Sequence, residues 1–324
     1  MLEFEPLVSH PHLQTILSHF WPDGLDERRF PVDRRYWPTA PEVEVLVESQ
    51  RPPGAPAGGI VMVHGLEGSS GAGYMRSLAQ AALTAGYASH RLNLRSCGGT
   101  EHHAKTAYHS GMTCDVLSVL ETLHSSGRGP LFLTGFSLGG NVVLKLAGEL
   151  GEKARGLIAG VCAVAAPIDL SASTRCIEMP QNRVYEKRFL RKLKRRIRSQ
   201  HRLRPAEFPI DGLDRVRSIR EFDGCFTARY FGFRDAEDYY HSQSAIRFLA
   251  GIRVPVLLLE AQDDPVVPFE IFTRPEVRHN PHIELIAPEH GGHLGFIARR
   301  PPRLWANHAL LAWIRRISSP SDGD

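Results

Sequence analysis

The 324-residue sequence lacks any long uninterrupted apolar run, and its first residues lack the basic start and apolar block of a secretory signal. Neither a membrane-spanning helix nor export is therefore expected. The chain has only 5 cysteines, which are scattered and include no Cys-x-x-Cys pair. An odd number of scattered cysteines is typical of reduced thiols and favours a cytoplasmic location.

Several ligand-binding motifs are also absent. There is no Gly-x-Gly-x-x-Gly and no P-loop, so no organic cofactor is expected. The 16 histidines include no His-Glu-x-x-His, so a catalytic metal is not expected either. The histidines weighed for a zinc site are His102, His103, His109, His290 and His293. A net charge of +4 without an aromatic-plus-basic module gives no reason to expect a nucleic-acid partner.

What the sequence does contain is a repeated alternation of strands and helices from residue 60 onward. Strand-sized apolar segments lie at 60–63, 87–94, 131–134, 157–163, 254–260 and 283–286, and helical patterns at 74–85, 113–124 and 305–317. This alternation predicts an α/β fold with a mostly parallel sheet and helices on both faces. Before it, 29–36 and 43–48 alternate like an antiparallel edge hairpin, and the polar tail from 318 onward is predicted to be disordered.

Residues 170–244 interrupt the alternation and are interpreted as an inserted cap. The chain is accordingly divided into a core part at 1–169, the cap at 170–244 and a second core part at 245–324. Within the cap, residues 183–204 carry 11 Arg and Lys against the single acid Glu186. Tyr185, Phe189, Leu193 and Ile197 recur every four residues, which indicates an amphipathic helix with a basic face. This helix is either a lid attracted to anionic lipid or, as the composition favours, a solvated cap helix whose apolar side packs on the core.

The stretch Gly135-Phe-Ser-Leu-Gly139 lies between an apolar strand and a helical pattern, and we interpret it as a nucleophile elbow. A serine on a tight strand-to-helix turn needs glycine two positions before and after it, because neighbouring segments pass close by. Gly135 and Gly139 meet that need. Ser137 is therefore the candidate nucleophile, at the positive N-terminal end of the following helix.

An activated serine requires an orienting acid and a base, which follow the serine in sequence on sheets of this kind. Asp264 comes after the strand at 254–260, directly before Pro-Val-Val-Pro, and is the preferred acid. The neighbouring Asp263 stays an alternative. His293 lies in a glycine-rich loop after the strand at 283–286 and is the preferred base, with His290 as its competitor.

The loop His64-Gly-Leu-Glu-Gly68 follows the strand at 60–63. In hydrolases of this type, a His-Gly loop at this place supplies one backbone N–H to the oxyanion, and the residue after the nucleophile supplies the other. The predicted oxyanion donors are therefore the N–H groups of Leu66 and Leu138. Dehalogenase or epoxide hydrolase chemistry is disfavoured, because those reactions need aspartate where this elbow has serine.

Taken together, the motifs resemble those of the YheT-like subgroup of the α/β-hydrolases. The resemblance covers nearly the whole chain. It rests on Pro11-His-Leu-Gln-Thr-Ile16, His64-Gly-Leu-Glu-Gly-Ser-Ser70, Tyr108-His-Ser-Gly111, Gly135-Phe-Ser-Leu-Gly-Gly-Asn141, Glu221-Phe-Asp223, Gly232-Phe-Arg-Asp-Ala-Glu-Asp-Tyr-Tyr240, Asp263-Asp-Pro265 and Gly291-Gly-His-Leu-Gly-Phe296. One departure is Ser96 in Asn93-Leu-Arg-Ser96, where the subgroup usually has glycine.

The resemblance implies an α/β-hydrolase fold with a helical cap and places the triad on Ser137, Asp264 and His293. We expect a serine hydrolase that cleaves short- to medium-chain acyl esters or lipids through an acyl-enzyme, with no cofactor. Two alternatives stay open: an alcohol acyltransferase that uses the same triad, and a non-catalytic protein that binds lipid or a partner through the basic cap. Peripheral contact between the cap helix and an anionic membrane is a further expectation, and the sequence does not indicate the oligomeric state.

Overall fold

A single sheet organises the chain in the computed structural model, which describes residues 3–319. Its eight strands are arranged in the order β1-β2-β4-β3-β5-β6-β7-β8. The strands are β1 Asp33–Ala40, β2 Val43–Gln50, β3 Gly59–Val63, β4 Ala88–Leu92, β5 Leu131–Phe136, β6 Gly160–Val164, β7 Val256–Leu259 and β8 Ile283–Ile286. β3 to β8 pair in parallel, and only the hairpin of β1 and β2 is antiparallel to its neighbours. The predicted α/β class and mostly parallel sheet are confirmed.

The edge hairpin is present, but its first strand begins later than the alternation at 29–36 predicts. A turn precedes it, in which the Asp26 carboxylate accepts hydrogen bonds from the N–H groups of Arg28 and Arg29. Side-chain capping of this kind diverts the backbone from extended pairing. The strand therefore starts at Asp33 and extends to Ala40.

Helices cover both faces of the sheet. They are α1 Pro11–Phe20, α2 Gly73–Thr84, α3 Cys114–Ser125, α4 Leu138–Leu150, α5 Leu170–Ile177, α6 Arg183–Leu203, α7 Ile219–Phe222, α8 Arg229–Phe231, α9 Ala236–Gln243, α10 Pro275–Arg278 and α11 Trp305–Ser318. A π-helical turn at Asp223–Ala228 joins α7 to α8. Short 3₁₀ turns occupy Glu101–His103, Gly151–Gly156, Pro180–Asn182, Ala245–Arg247, Leu249–Gly251 and Phe269–Thr273.

The strand β3 shows how the two apolar layers are built. Successive side chains of a strand point to opposite faces. Val61 and Val63 accordingly join the cluster formed with α3 and α4, whereas Ile60 and Met62 join the cluster formed with α2 and α11. A strand that is buried on both faces is typical of a parallel sheet covered by helices, and it holds the carboxyl edge of the sheet rigid.

Residues 170–244 lie between β6 and β7 and contain α5 to α9. In α6, Leu190 and Leu193 are buried, and Tyr185, Phe189 and Ile197 are partly buried against the same cluster as the sheet. The apolar side of this helix therefore packs on the core. The division of the chain at residues 169 and 244 stays a prediction.

Among residues 3–319, no helix is both long enough and apolar enough to cross a bilayer. Of the tail predicted to be disordered, Ser318 is the last residue of α11, and residues 320–324 lie outside the described part of the chain.

Candidate active site

Ser137 lies between β5 and α4 in a strained backbone conformation. Its φ and ψ angles are 50° and −123°, which is unfavourable for a residue with a side chain. A Cβ at Gly135 would lie 2.2 Å from the carbonyl oxygen of Gly139, and a Cβ at Gly139 would lie 2.3 Å from that of Val63. Both glycines are therefore needed for the close packing of this turn, which lifts the serine to the edge of the sheet.

A continuous line of hydrogen bonds joins Ser137, His293 and Asp264. The His293 Nε2 atom is 3.0 Å from Ser137 Oγ, and His293 Nδ1 is 2.8 Å from Asp264 Oδ2. Because an ionised carboxylate only accepts, Nδ1 donates to Asp264, which leaves Nε2 to accept the serine proton. The other oxygen of Asp264 accepts from the N–H groups of Val266 and Val267 at 2.7 and 3.0 Å, so the carboxylate is fixed in orientation.

Asp263 and His290, the competing candidates, form a separate pair. His290 Nδ1 lies 3.1 Å from Asp263 Oδ2, and the other oxygen of Asp263 accepts from the N–H of Gly292 at 2.9 Å. The two adjacent aspartates thus point to different partners. Asp263 ties down the loop that carries His293, and the structure brings Asp264 rather than Asp263 to the His293 ring.

Helix α1 also holds the histidine loop. The Thr15 hydroxyl accepts a hydrogen bond from the His293 N–H at 2.8 Å, and Gln14 donates to the Ile297 carbonyl at 2.8 Å. Gly292 has a φ of 57°, and a Cβ there would lie 2.4 Å from the Pro11 carbonyl oxygen. The sequence did not predict these contacts of α1 with the histidine loop, because they join residues nearly 300 positions apart.

Glu260 is a buried acid that the sequence analysis did not single out. It follows β7 directly and is 1% exposed. Burial and the nearby Asp264 carboxylate raise the pKa of Glu260 well above its usual value, so this side chain keeps its proton to a higher pH than a free glutamic acid does. The only sequence signal was an acid at the end of an apolar run.

The raised pKa of Glu260 predicts a pH-dependent effect of Glu260→Gln. In wild type, the unfolded acid releases its proton above about pH 4.3 while the folded acid keeps it. This imbalance lowers the free energy of unfolding by about 1.4 kcal/mol per pH unit until the folded pKa is reached. Glutamine removes it, so the variant should gain stability relative to wild type as the pH is raised above 5, measured by urea unfolding. A stability difference that does not change with pH would mean that Glu260 is ionised in the fold.

The loop after β3 borders the serine. Gly65 lies against it: a Cβ there would be 3.0 Å from Ser137 Cβ. Leu66 and Leu138 line a cavity together with Ser137, and Leu138 is the first residue of α4, where backbone N–H groups lack an acceptor within the helix. The predicted oxyanion residues therefore lie on both sides of the serine.

His64 supports this loop from inside the core. Its Nδ1 donates to the Gly65 carbonyl at 2.7 Å, and its Nε2 accepts from the Leu94 N–H at 3.1 Å. Burial lowers the pKa of His64 to about 4, so the ring is neutral and acts as a structural link. Among residues 3–319, no group of three His, Cys, Asp or Glu side chains is placed to hold a metal ion.

Glu67 connects the loop after β3 to helix α6. Its carboxylate accepts from Arg196 Nε at 2.6 Å and from the Tyr108 hydroxyl at 3.0 Å, and its N–H donates to the same hydroxyl at 2.9 Å. The Arg196 guanidinium also lies over the Tyr108 ring, 4.6 Å from its centroid. Glu67, which follows Leu66, has a φ of 53°, and these contacts hold it in this unfavourable backbone conformation.

Ser96, the departure from the family pattern, takes the backbone conformation that glycine prefers. Its φ is 61°, and its hydroxyl accepts a hydrogen bond from the Gln200 side chain of α6. A serine in this region costs about 1 kcal/mol relative to glycine. The Ser96 hydroxyl, however, provides a second hydrogen-bonded connection to α6, besides the one through Glu67.

Two cavities of different character meet at Ser137. The narrower, of about 70 Å³, is largely apolar and is lined by Leu66, Leu138, Leu170, Ile177, Phe189, Val266 and Val267 among others. The wider, of about 490 Å³, contains His293 and is lined by Thr15, His19, Trp21, Tyr185, Arg188 and Lys192 among others. Ser137, the candidate nucleophile, therefore borders both cavities.

Comparison with known proteins gives a consistent relationship. Residues 60–307 match the model of the Alpha/beta hydrolase family. The chain is 34% identical to the YheT protein of Escherichia coli, over 96% of this chain and 93% of that protein. It is 27% identical to the monoacylglycerol lipase of Saccharomyces cerevisiae, over 95% and 73% of the two chains, and 30% identical to mouse phospholipase ABHD3, over 75% and 59%.

Solved structures show the same fold. The esterase Pf2001 of Pyrococcus furiosus superposes with a TM-score of 0.59 at 16% identity, over 89% of this chain and 93% of that one. The ferulic-acid complex of Est1E from Butyrivibrio proteoclasticus superposes with a TM-score of 0.57 at 14% identity, over 87% and 98% of the two chains.

Proposed function

This chain belongs to the alpha/beta hydrolase family, and we propose that it is a serine esterase acting on carboxylic esters of short- to medium-chain acyl groups or lipids. The hydrogen-bonded line from Ser137 through His293 to Asp264, at the tip of a strained turn, carries this proposal. Relatives named monoacylglycerol lipase and phospholipase support an ester of a lipid alcohol as the substrate class.

In the proposed mechanism, Ser137 Oγ attacks the ester carbonyl carbon while its proton passes to His293 Nε2. Asp264 stabilises the imidazolium that forms. The N–H groups of Leu66 and Leu138 donate to the oxygen that becomes negative, and each such donor contributes about 3 kcal/mol to lowering the barrier. Collapse of the intermediate breaks the bond to the alcohol oxygen, which takes the proton from His293 and leaves an acyl group on Ser137.

The acyl-enzyme is then cleaved by water. His293 accepts a proton from the water molecule, whose oxygen attacks the acyl carbon and forms a second tetrahedral intermediate. Its collapse returns the proton to Ser137 Oγ and releases the carboxylic acid. An alcohol in place of water would give a new ester, and this is the acyltransferase alternative. The two are separated by adding ethanol or glycerol to the assay and measuring ester against acid by chromatography.

The activity is tested by labelling the folded protein with a fluorophosphonate and assaying p-nitrophenyl esters from acetyl to palmitoyl. We expect one covalent adduct per chain, mapped by mass spectrometry to the peptide that contains Ser137, and loss of turnover in step with labelling. Turnover should peak at short to medium chains, because the cavity of about 70 Å³ beside Ser137 is narrow. A folded protein that neither reacts nor turns over any ester would favour the non-catalytic, lipid-binding alternative.

We also propose peripheral contact with anionic membranes through α1 and the first half of α6. On α1, Leu13, Ile16 and Phe20 are 50%, 46% and 77% exposed, and they recur at the spacing of one helix face. His12 of α1 bonds to Tyr185 of α6 at 3.0 Å, and the adjacent Val184 is 75% exposed. Helix α6 carries exposed cations between residues 183 and 195, and Arg188 also contacts His19 of α1; the cations are Arg183, Lys187, Arg188, Arg191 and Arg195. Apolar groups flanked by basic residues suit an anionic lipid surface.

The replacement of Leu13, Ile16 and Phe20 by serine should weaken binding to phosphatidylglycerol-containing vesicles at least about tenfold, because each buried apolar side chain contributes over 1 kcal/mol. Vesicle sedimentation measures this. Tyr36→Ser is the matched control, since Tyr36 is 43% exposed on β1. Equal binding by the triple variant and wild type, or no binding by wild type, would contradict the contact. A cytoplasmic location stays a prediction from the scattered cysteines.

A further inference from the structure

The two cavities at Ser137 serve different halves of the ester. In the proposed mechanism, His293 delivers its proton to the departing alcohol oxygen. His293 lines the wide cavity of about 490 Å³ and is not among the residues of the narrow one. The alcohol half therefore occupies the wide cavity, which leaves the acyl chain to the narrow apolar one.

Three basic side chains converge on the rim of the wide cavity. Arg188 and Lys192 lie one turn apart on α6, and His19 comes from α1. Arg188 Nη2 donates to His19 Nε2 at 3.0 Å, and Lys192 Nζ donates to the Glu67 carbonyl at 3.2 Å. Lys192 has three N–H donors, so two are left to face a ligand.

Asp23 also lines the wide cavity, but no carboxylate of the described residues pairs with the cations of its rim. Within residues 3–319, neither Arg188 nor Lys192 forms an ion pair with a carboxylate. The acids of the neighbourhood are already engaged: Glu67 pairs with Arg196 at 2.6 Å, and Asp23 pairs with Arg76 at 2.9 Å. The positive charges of Arg188 and Lys192 are thus directed at a cavity that opens on the catalytic serine.

The pKa values of His19 and Lys192 also reflect the positive charge of the neighbouring cations. Burial, Arg188 and Lys192 lower the pKa of His19, and burial and Arg188 lower the pKa of Lys192. The Glu67 carboxylate partly offsets this lowering of the Lys192 pKa, and a bound anion would offset it further.

From this geometry we infer that the wide cavity binds a phosphate group carried by the alcohol half of the substrate, with Arg188 and Lys192 as its ligands. This deepens the proposed function and rests on it. A guanidinium offers a planar fork for two phosphate oxygens and an ammonium offers a mobile point charge, so the pair suits a phosphate at variable distance from the ester bond. The preferred substrates are then acyl esters of a phosphorylated alcohol, either free in water or as a lipid headgroup.

The test compares 1-butyrylglycerol with 1-butyrylglycerol 3-phosphate, which share the acyl group and the ester bond. We expect wild type to favour the phosphate ester in kcat/KM by about tenfold. The ratio should fall to about one in the double variant Arg188→Gln/Lys192→Gln, and part of the way in Arg188→Gln, which leaves the Lys192 bond to Glu67 intact. Raising sodium chloride from 50 to 500 mM should lower the wild-type ratio, because salt screens a contact at the rim.

Arg198→Gln/Arg202→Gln is the matched control, since both residues are exposed on the same helix and belong to neither cavity lining nor to the proposed membrane contact. The control should keep the wild-type ratio. A decanoyl lysophosphatidic acid in phosphatidylcholine vesicles, beside 1-decanoylglycerol, extends the comparison to a lipid source. Preference for phosphate in solution alone, or in vesicles alone, supports the site and identifies the source of the ligand.

Equal rates on both esters in both formats, or an unchanged ratio in the Arg188 and Lys192 variants, would overturn the inference while leaving the esterase intact. A ratio that falls equally in the control would also overturn it, because the charge of the whole helix would then be responsible. The absence of turnover on every ester would instead reject the proposed function itself.

Discussion

Replacing Ser137 by alanine should lower kcat for ester hydrolysis by about 10⁴- to 10⁶-fold, and His293→Ala should do the same. The reason is that Ser137 attacks the ester while His293 removes the serine proton, so the reaction needs both groups. His293 Nε2 lies 3.0 Å from Ser137 Oγ. The double variant should be no slower than either single one, because neither group accelerates the reaction without the other. Steady-state assays on p-nitrophenyl butyrate measure this, with residual rates compared before and after fluorophosphonate treatment to exclude contaminating esterase.

The adjacent aspartates provide a matched control for the same experiment. Asp264→Asn should lower kcat by about 10⁴-fold, because the amide no longer favours the tautomer that accepts the serine proton. Asp263→Asn removes a carboxylate that bonds His290 and the Gly292 N–H, and should lower kcat by less than about tenfold. The reverse order of the two effects would assign the orienting role to Asp263.

Gly139→Ala should be strongly damaging although it touches no reacting group. Its new methyl group would lie 2.3 Å from the Val63 carbonyl oxygen and 2.7 Å from that of His64. Neither is the end of a flexible side chain, so β3 and the loop after it must move. We expect a loss of about 3 kcal/mol in the free energy of unfolding, together with a fall of about 10²-fold or more in kcat as the Leu66 N–H is displaced.

Gly73→Ala is the control for this substitution. A Cβ at Gly73, the first residue of α2, meets nothing within 4 Å. Its stability should stay within about 1 kcal/mol of wild type, with a tendency to rise. Urea unfolding and steady-state kinetics on both variants separate the two expectations. Wild-type kinetics in Gly139→Ala would show that the turn tolerates a side chain and would weaken the interpretation of the elbow.

The part of the site that the sequence predicted is the part built from local patterns. The serine turn joins a strand to a helix within a dozen residues, so its glycines and flanking periodicity are adjacent in the chain. The acid and the base follow strands whose carboxyl ends meet at one edge of a parallel sheet. Alternation alone is sufficient to place these three segments together.

The rest depended on contacts between distant residues. Whether Asp263 or Asp264 faces His293 is decided by a turn in which adjacent side chains point apart. The bond from His293 to Thr15 joins the two ends of the chain. The rotation of α6 on the core determines which two of its 10 Arg and Lys residues face the wide cavity. The spacing of apolar residues predicts which side of α6 packs on the core, but not which residues its polar side contacts.

The hydrogen bonds between α6 and the loops around Ser137 limit how substrate and product can enter and leave the site. Arg196 and Lys192 bond to Glu67, and Gln200 bonds to Ser96, so raising this helix would break all three links and disturb the residue next to Leu66. Turnover with the helix raised would therefore proceed without a properly held oxyanion site. Substrate and product are therefore expected to pass through the wide cavity that already reaches Ser137, with α6 held in place throughout the cycle.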